Sequence, residues 1–237
     1  MKQFKLFIAS AIMLFGASSA NAAFITQTET FAFTPNDQAV LTFDQYDGTQ
    51  GILTAIEIIL QITALGGELT VDNDGVLVNG DTNVELGVTA LVSSSLSLVN
   101  NALVSIFASP VEASVLTTLT VGPQDTDATD SFQNDLGPDN ASITNINVTE
   151  TGGGFLSSAT FASYTGAGTF DMTVDGTTIV DFDTANGLAG SFSPPSLEGF
   201  ITVNFTTQEP GVLPEPALHA VLGMFALMLA ARARRKA

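Results

Sequence analysis

The chain of 237 residues contains no cysteine, no tryptophan and only two tyrosines. Without cysteine, neither a disulfide framework nor a thiolate site can form. Residues 23–213 also lack lysine, arginine and histidine, because the six basic side chains lie at the two ends of the chain and the single histidine is His219. This long central region must therefore be held together by its hydrophobic core, for which the composition, 45% hydrophobic, is sufficient.

These absences exclude most catalytic chemistry from residues 23–213. A Ser-His-Asp or Cys-His arrangement cannot be assembled there, nor can a Schiff-base lysine or a zinc or copper site built from imidazole or thiolate. Carboxylate chemistry remains, since a glycosidase needs only two acidic residues at a suitable separation. No pair of acids stands out, and Tyr46 and Tyr164 offer few aromatic platforms for a sugar. We therefore expect no enzymatic activity and no cofactor other than a calcium ion, which is considered below.

The charge of the central region has one sign. Of the 24 acidic residues, all except Glu215 lie within residues 23–213, so this region carries a formal charge of −23. A surface of that sign repels phosphate backbones and anionic lipids. Nucleic acid is therefore excluded as a partner.

Residues 1–22 have the three parts of a secretory signal peptide. Two lysines precede the apolar stretch 6–17, and the small residues Ala20 and Ala22 stand at the positions that a signal peptidase reads. The alternative, an uncleaved anchor, would need more than twelve apolar residues to span the hydrocarbon core. We therefore expect export through the Sec translocon and cleavage by signal peptidase before Ala23.

The C-terminal end contains a second apolar segment, residues 217–231, which carries no charge. As a helix it would reach about 22 Å, short of a hydrocarbon core of about 30 Å, although flanking arginines can snorkel and extend that reach. A buried amphipathic helix is the alternative, but the segment has no polar face. We therefore predict a transmembrane helix. The basic residues that follow it, in the tail 232–237, would remain cytoplasmic and are Arg232, Arg234, Arg235 and Lys236.

The segment before this helix, residues 210–216, ends in Pro214, Glu215 and Pro216. A Pro-Glu-Pro triplet, a short membrane helix and a terminal basic cluster, in this order, resemble the PEP-CTERM sorting signal. The resemblance covers about 25 residues and implies recognition by an exosortase, a membrane processing enzyme of Gram-negative bacteria that make exopolysaccharide. The prolines fit this role because they end the helix outside the membrane and leave an extended, accessible segment.

Between these ends the sequence alternates like a series of short strands. In "ITVNFTTQ", for example, Ile201, Val203 and Phe205 share one face. Turn dipeptides are predicted to separate the strands, with a type I′ hairpin turn at Asp175-Gly176 and further turns at Gly66-Gly67, Asp74-Gly75 and Asn79-Gly80. One segment, "LVSSSLSLVNNALVSIF", is ambiguous between helix and strand.

About ten strands at this spacing predict an all-β fold, an antiparallel two-sheet sandwich of the jelly-roll or immunoglobulin-like kind. It would occupy residues 23–209 as one domain, flanked by an N-terminal signal helix and a C-terminal transmembrane helix. Two segments, 41–60 and 161–174, also resemble the choice-of-anchor E domain, an exported β-rich domain often carried by proteins with such sorting signals. The resemblance implies architecture and export, and no activity.

One acidic loop offers a calcium hypothesis. Calcium takes six to eight oxygen ligands, and closely spaced aspartates in a loop can supply them. The spacing is not that of an EF-hand, and a solvated acidic loop is the alternative. The candidate ligands are Asp125, Asp127, Asp130, Asp135 and Asp139. A second cluster, Asp72, Asn73 and Asp74, is interpreted as the end of a hairpin.

The sequence thus predicts an exported protein without catalysis. It would be anchored transiently in the inner membrane with its acidic body outside the cytoplasm, and then sorted to the cell surface or the exopolysaccharide matrix. Its expected partners are the export and sorting enzymes, and extracellular polysaccharide is a further candidate. The alternative is a calcium-dependent adhesive or glycan-binding module, followed by a carboxylate-based glycosidase.

Overall fold

A computed structural model describes residues 22–73, 80–123, 139–182 and 188–209. These residues form nine β-strands and one 3-10 helix, Ser158–Tyr164. The strands are β1 (Ala22–Phe33), β2 (Asp37–Asp44), β3 (Ile52–Asn73), β4 (Gly80–Ser94), β5 (Val111–Val121), β6 (Asn140–Phe155), β7 (Thr169–Phe182), β8 (Leu188–Ser193) and β9 (Ser196–Gln208).

The strands make two sheets. Sheet A has the order β1-β9-β3-β6, with β8 beside the second half of β3, and sheet B has the order β2-β7-β4-β5. Every pair of neighbouring strands is antiparallel. The predicted all-β fold with two antiparallel sheets is therefore confirmed. The two predicted flanking helices fall outside the described residues. Within the described ranges, no helix has the length and hydropathy of a membrane span.

The core lies between the sheets and follows the alternation in the sequence. Ile201, Val203 and Phe205 are fully buried, as their shared face predicts. The same period places apolar side chains of the other central strands in the core. The buried residues of β3 and β7 include Ile56, Ile58, Leu60, Ile62, Phe170, Met172 and Val174. Burial of this apolar surface is the main stabilising contribution in a domain without disulfides or basic side chains.

The predicted turn at Gly66-Gly67 is wrong. Both glycines lie within the continuous strand β3, with φ angles of +79° and +75°, and Gly67 has no partner in the register with β6. The register with β6 is the same on both sides of the pair, and Asn145, opposite Gly67, also has a positive φ angle, of +52°. The two strands therefore change side-chain phase together, without an extra residue. Buried side chains of β3 have even numbers up to Ala64 and include Leu69 and Val71 after this phase change.

The hairpin turn predicted at Asp175-Gly176 is also wrong. Both residues lie inside β7, and Gly176 pairs with Asp37 of β2 and with Ala90 of β4. A Cβ atom on Gly176 would lie 2.4 Å from Leu197 Cδ2, so the glycine is required by close packing against the other sheet. Asp74-Gly75 lies outside the described residues, and Gly80 begins β4.

The sandwich has two ends, or poles, that differ in what they carry. At the termini pole, β1 begins beside the end of β9, because Ala22 pairs with Gln208, and β3 begins there too, because Ile52 also pairs with Gln208. Loops 45–51, 95–110 and 156–168 lie at this pole, since each leaves or enters a strand there. At the opposite pole, β3 and β5 end and β6 begins.

Candidate functional sites at the two poles

Most residues of the predicted sorting signal lie outside the described residues: Ala20, Pro214, Glu215, Pro216, Arg232, Arg234, Arg235 and Lys236. The exception is Ala22, before the predicted signal-peptidase bond, which is the first residue of β1. It pairs with Gln208, one residue before the described part of the chain ends. The two predicted processing regions therefore leave the sandwich from adjacent strands.

The opposite pole brings together two acidic segments that are far apart in sequence. The backbone N–H of Asn73 donates to the carbonyl oxygen of Asp139 at 3.1 Å, and the Asn73 side-chain amide donates to the carbonyl oxygen of Gly122 at 2.8 Å. Asn73 therefore joins the end of β3 to the end of β5 and the start of β6. The other candidate calcium ligands, Asp125, Asp127, Asp130 and Asp135, lie outside the described residues.

Burial distinguishes this junction from a solvated hairpin end. Asp72, Asn73 and Asp139 are only 2%, 1% and 3% exposed. Asp72 lies between two neighbouring strands, because it pairs with Asn140 of β6 and with Ala189 of β8. The interpretation of Asp72-Asn73 as a simple hairpin end missed this burial. Within the described residues, no group of three acidic or histidine side chains is arranged to hold a metal ion.

At the termini pole, the middle of loop 95–110 forms a tight turn that exposes apolar side chains. The Asn100 side-chain oxygen accepts hydrogen bonds from the N–H groups of Ala102 at 2.8 Å and Val104 at 3.2 Å, and the Leu103 N–H donates to the Asn100 carbonyl at 3.0 Å. Leu103 has a φ angle of +60° and is 77% exposed. Leucine disfavours both this left-handed conformation and this exposure. The sequence of this segment alone does not indicate a function.

Loop 156–168 holds the base of loop 95–110 in place. The Ser157 N–H donates to the Val99 carbonyl at 2.8 Å, and the Tyr164 hydroxyl donates to the Ser97 carbonyl at 3.0 Å. Tyr164 is buried, and this burial raises the pKa of its phenol, so the hydroxyl stays protonated and remains a donor. Hydrogen bonds from loop 156–168 therefore hold the base of the loop that carries the exposed apolar turn.

The third loop of this pole, 45–51, carries a charge. The backbone N–H and the hydroxyl of Thr49 donate to the Asp47 carboxylate at 2.9 and 2.8 Å. These hydrogen bonds stabilise the ionised form and lower the pKa of Asp47. By contrast, loops 95–110 and 156–168 contain no charged residue.

The outer face of sheet A contains a shallow open depression of about 470 Å³. Polar side chains of three strands line it, among them Thr30, Gln61 and Glu198, beside the ring of Phe200. Glu198 is the one carboxylate among its lining residues, whereas glycoside hydrolysis uses a pair. The depression therefore has the composition of a weak polar contact surface.

Comparisons with known proteins give no relative from which a function could be transferred. No protein-family model and no curated protein matches the sequence. Among solved structures, the dimeric latent PorU of Porphyromonas gingivalis matches 84% of this chain at 7% identity and a TM-score of 0.22. A structure of infectious bursal disease virus, Gt strain, matches 89% of it at 14% identity and a TM-score of 0.14. The chain spans 15% of the length of the first and 51% of the second.

Proposed function

We propose that this chain is an exported surface or matrix protein that is anchored by its C-terminal tail, released or attached by an exosortase, and acts without catalysis. Residues 1–22 are its signal helix and residues 217–231 its transmembrane helix. The sandwich between them, of the jelly-roll or immunoglobulin-like kind, is the exported body. Its role is structural, through contacts with the cell surface or with extracellular polysaccharide.

The observation that carries this proposal is the order of three features at the C-terminus. The Pro214-Glu215-Pro216 triplet, the uncharged segment 217–231 and the basic residues 232–237 follow one another without a gap. Each part has a physical purpose in membrane processing. The triplet provides an extended cleavage region, the uncharged segment spans the membrane, and the basic residues stay in the cytoplasm. No comparable arrangement of charge and hydrophobicity is needed by a sandwich that folds in solution.

The positions of the strand ends support the same topology. Both the signal helix and the tail helix must cross the same membrane, with the body on one side of it. Because Ala22 pairs with Gln208, the two connections leave from one pole of the sandwich. The body can therefore fold completely while it is attached to the membrane at either end.

Intact-mass analysis of the surface form tests this proposal. In a Gram-negative host with an exosortase, we expect one cut before Ala23 and a second near Pro214-Glu215-Pro216. Replacing all three motif residues with alanine should abolish the second cut and leave the first. The variant Pro210→Ala, four residues upstream, is the matched control and should be processed normally. A surface form that retains residues 232–237 would falsify the exosortase assignment.

A second candidate function, a calcium-dependent adhesive module, is favoured by the junction at the opposite pole. Asp72 and Asp139 bring two carboxylates into a region with 2–3% exposure. An ionised carboxylate is costly to bury unless a cation or hydrogen-bond donors stabilise it. Residues 23–213 supply no lysine or arginine for this, so any cation beside the interactions that Asp72 and Asp139 already make would be a bound ion. Calcium suits this set, because its preferred ligands are carboxylate and carbonyl oxygens.

Calorimetric titration with calcium chloride separates the two functions. The adhesive function predicts saturable heat with the full-length protein and its loss in the double variant Asp125→Asn, Asp127→Asn. The matched control Asp175→Asn removes one exposed charge from β7 and should leave the titration unchanged. Equal, non-saturating heats from calcium and magnesium would show that the acidic segment is a solvated surface without a calcium site.

A further inference from the structure

We propose that the termini pole of the sandwich rests on the lipid bilayer, with the turn at Leu103-Val104 in contact with the membrane interface. This inference rests on the proposed anchoring by the C-terminal tail. It assigns the orientation of the body on the membrane and the residues that touch lipid.

Of the ten large apolar side chains that are exposed among the described residues, five lie at this pole. Phe24 and Ile52 are each 63% exposed, at the starts of β1 and β3, and Phe155, at the end of β6, is 60% exposed. Leu103 and Val104 extend the set to the tip of loop 95–110, at 77% and 49% exposure. Large apolar side chains gathered on one surface mark a binding surface in soluble domains.

Leu103 gives the clearest indication that the surface has a use. A leucine at φ +60° is strained, and its exposure contributes nothing to the core. Asparagine or glycine would fit the same turn without strain, as the hydrogen bonds to Asn100 hold the backbone there. Strain that the fold does not require points to a contact outside the fold.

The distribution of charge selects the same pole. At the termini pole, loops 95–110 and 156–168 carry no charge, and loop 45–51 carries Asp47 alone. By contrast, the strand ends at the opposite pole carry Asp72 and Asp139, and the sequence between β5 and β6 contains four more aspartates. An acidic surface is repelled by membranes with anionic lipids, so the orientation with the uncharged loops toward the bilayer is favoured. Aromatic and aliphatic side chains on a surface of low charge are suited to the membrane interface.

The length of the tail limits how far this pole can be from the membrane. Between Glu209 and the predicted helix at 217 there are seven residues, which span at most about 25 Å when fully extended. Gln208, at the end of β9, pairs with Ile52, and Phe24 pairs with Thr206, two residues earlier in β9. A lipid surface is therefore the partner that tethering holds nearest to these side chains.

Because the chain contains no natural cysteine, single-cysteine labelling tests the inference directly. Full-length Leu103→Cys carries an environment-sensitive fluorophore and is reconstituted into phosphatidylcholine vesicles with and without doxyl-labelled lipid. We expect a blue-shifted emission that doxyl lipid quenches. The matched control is Leu116→Cys, which replaces a leucine 70% exposed on the outer face of β5 and should show neither effect.

Flotation of the same vesicles separates this inference from the proposed function. A chain that does not float with the vesicles overturns tail anchoring and the bilayer contact together. A chain that floats while its Leu103→Cys probe is unquenched, or quenched no more than the Leu116→Cys probe, overturns the bilayer contact alone. A blue shift that disappears on dilution of the protein in lipid overturns it in favour of contact between two copies.

A second pair of variants tests whether the fluorophore itself, rather than Leu103, causes the lipid contact. A fluorophore on Val104→Cys reports the same turn while residue 103 is varied. Adding Leu103→Asn should relieve the left-handed strain and keep or raise the melting temperature, yet reduce the quenching of the probe at 104. Unchanged quenching would show that Leu103 is not a lipid contact.

Discussion

At the scale of single residues, glycine conformation separates positions that need only a left-handed backbone from positions that also need space. Gly48 has a φ of +81° and no atom within 4 Å of where a Cβ would lie. Gly153, with a φ of +124°, would place a Cβ 2.1 Å from the carbonyl oxygen of Ile58 in the neighbouring strand. The same substitution should therefore have unequal costs at the two positions.

We predict that Gly48→Ala lowers the free energy of unfolding by about 1–2 kcal/mol, the cost of a left-handed alanine. Gly153→Ala should cost at least about 2 kcal/mol more, because β6 must move away from β3. Urea denaturation of both variants measures the difference. Similar losses would show that β6 is not packed as closely against β3 as the register indicates.

Tyr164 gives a pH dependence with a definite sign. Burial raises the pKa of its phenol above the ordinary value of about 10, so the folded protein binds this proton more tightly than the unfolded chain does. Its contribution is complete below about pH 10 and is lost as the pH rises above that value. We expect Tyr164→Phe to be less stable than the natural chain at pH 8 and to lose less stability between pH 8 and pH 11.

The same unfolding measurements at the two pH values check this prediction. The comparison isolates Tyr164, because residues 23–213 contain no lysine or cysteine and the other tyrosine, Tyr46, is common to both chains. An equal loss for both chains between pH 8 and pH 11 would contradict a buried phenol that must ionise on unfolding.

Other residue-level features could not be foreseen from the sequence. The contact between Asn73 and Asp139 joins positions 66 residues apart and depends on the pairing of β3 with β6. It also depends on the change of side-chain phase at Gly66-Gly67, which precedes Asp72 in β3. The proposed processing motifs, by contrast, are local patterns that can be predicted before any fold is known.

At the scale of elements, the sequence predicts strands more reliably than their ends. Alternation identified β9 correctly, because its apolar period is uninterrupted from Ile201 to Phe205. Gly66-Gly67 and Asp175-Gly176 have the composition of turns, yet both lie within strands. A glycine pair inside a strand can use the same positive φ angles as a turn, and a buried glycine can leave room for side chains of the opposite sheet, so composition cannot distinguish these cases.

The change of side-chain phase at Gly66-Gly67 in β3 predicts the outcome of a deletion. Removing Gly67 from β3 alone would shift Leu69 and Val71 by one position against β6, where they pair with Ile143 and Ala141. These two buried side chains, each contributing about 1.5–3 kcal/mol of burial, would then oppose residues that face the other side of the sheet. We expect the deletion to lower the free energy of unfolding by several kcal/mol or to prevent folding. The control Gly66→Asn keeps a left-handed residue at a position with open space and should remain folded.

Circular dichroism and chemical denaturation measure both chains. A deletion variant as stable as the natural chain would mean that the second half of β3 can slide by one residue relative to β6 and β8.

At the scale of the whole molecule, the two poles of the sandwich differ in charge and in exposed apolar side chains. Topology produces this polarity, because pairing the first strand with the last brings both termini to the pole that holds the uncharged loops. The sequence shows which segments are acidic and which are apolar, but only the strand order shows that they lie at different poles. The two-sheet class could be predicted from composition and period, whereas this arrangement could not.

The excess of negative charge yields a prediction for the complete protein. Residues 23–213 contain 23 carboxylates and no basic side chain, so no salt bridge to lysine or arginine can form within this region. Mutual repulsion should therefore weaken the folded state at low ionic strength. Added salt shortens the Debye length from about 30 Å at 0.01 M to about 10 Å at 0.1 M, so we expect the melting temperature to rise with sodium chloride.

Divalent cations at matched ionic strength then distinguish screening from binding. Screening alone predicts equal melting temperatures in calcium and magnesium chlorides. A bound calcium ion would add about 2.7 kcal/mol of stability at a hundredfold excess over its dissociation constant. The triple variant Asp125→Asn, Asp127→Asn, Asp130→Asn should then lose the calcium increment and keep the response to sodium chloride. A melting temperature that does not respond to sodium chloride would show that repulsion among these carboxylates is already negligible in the fold.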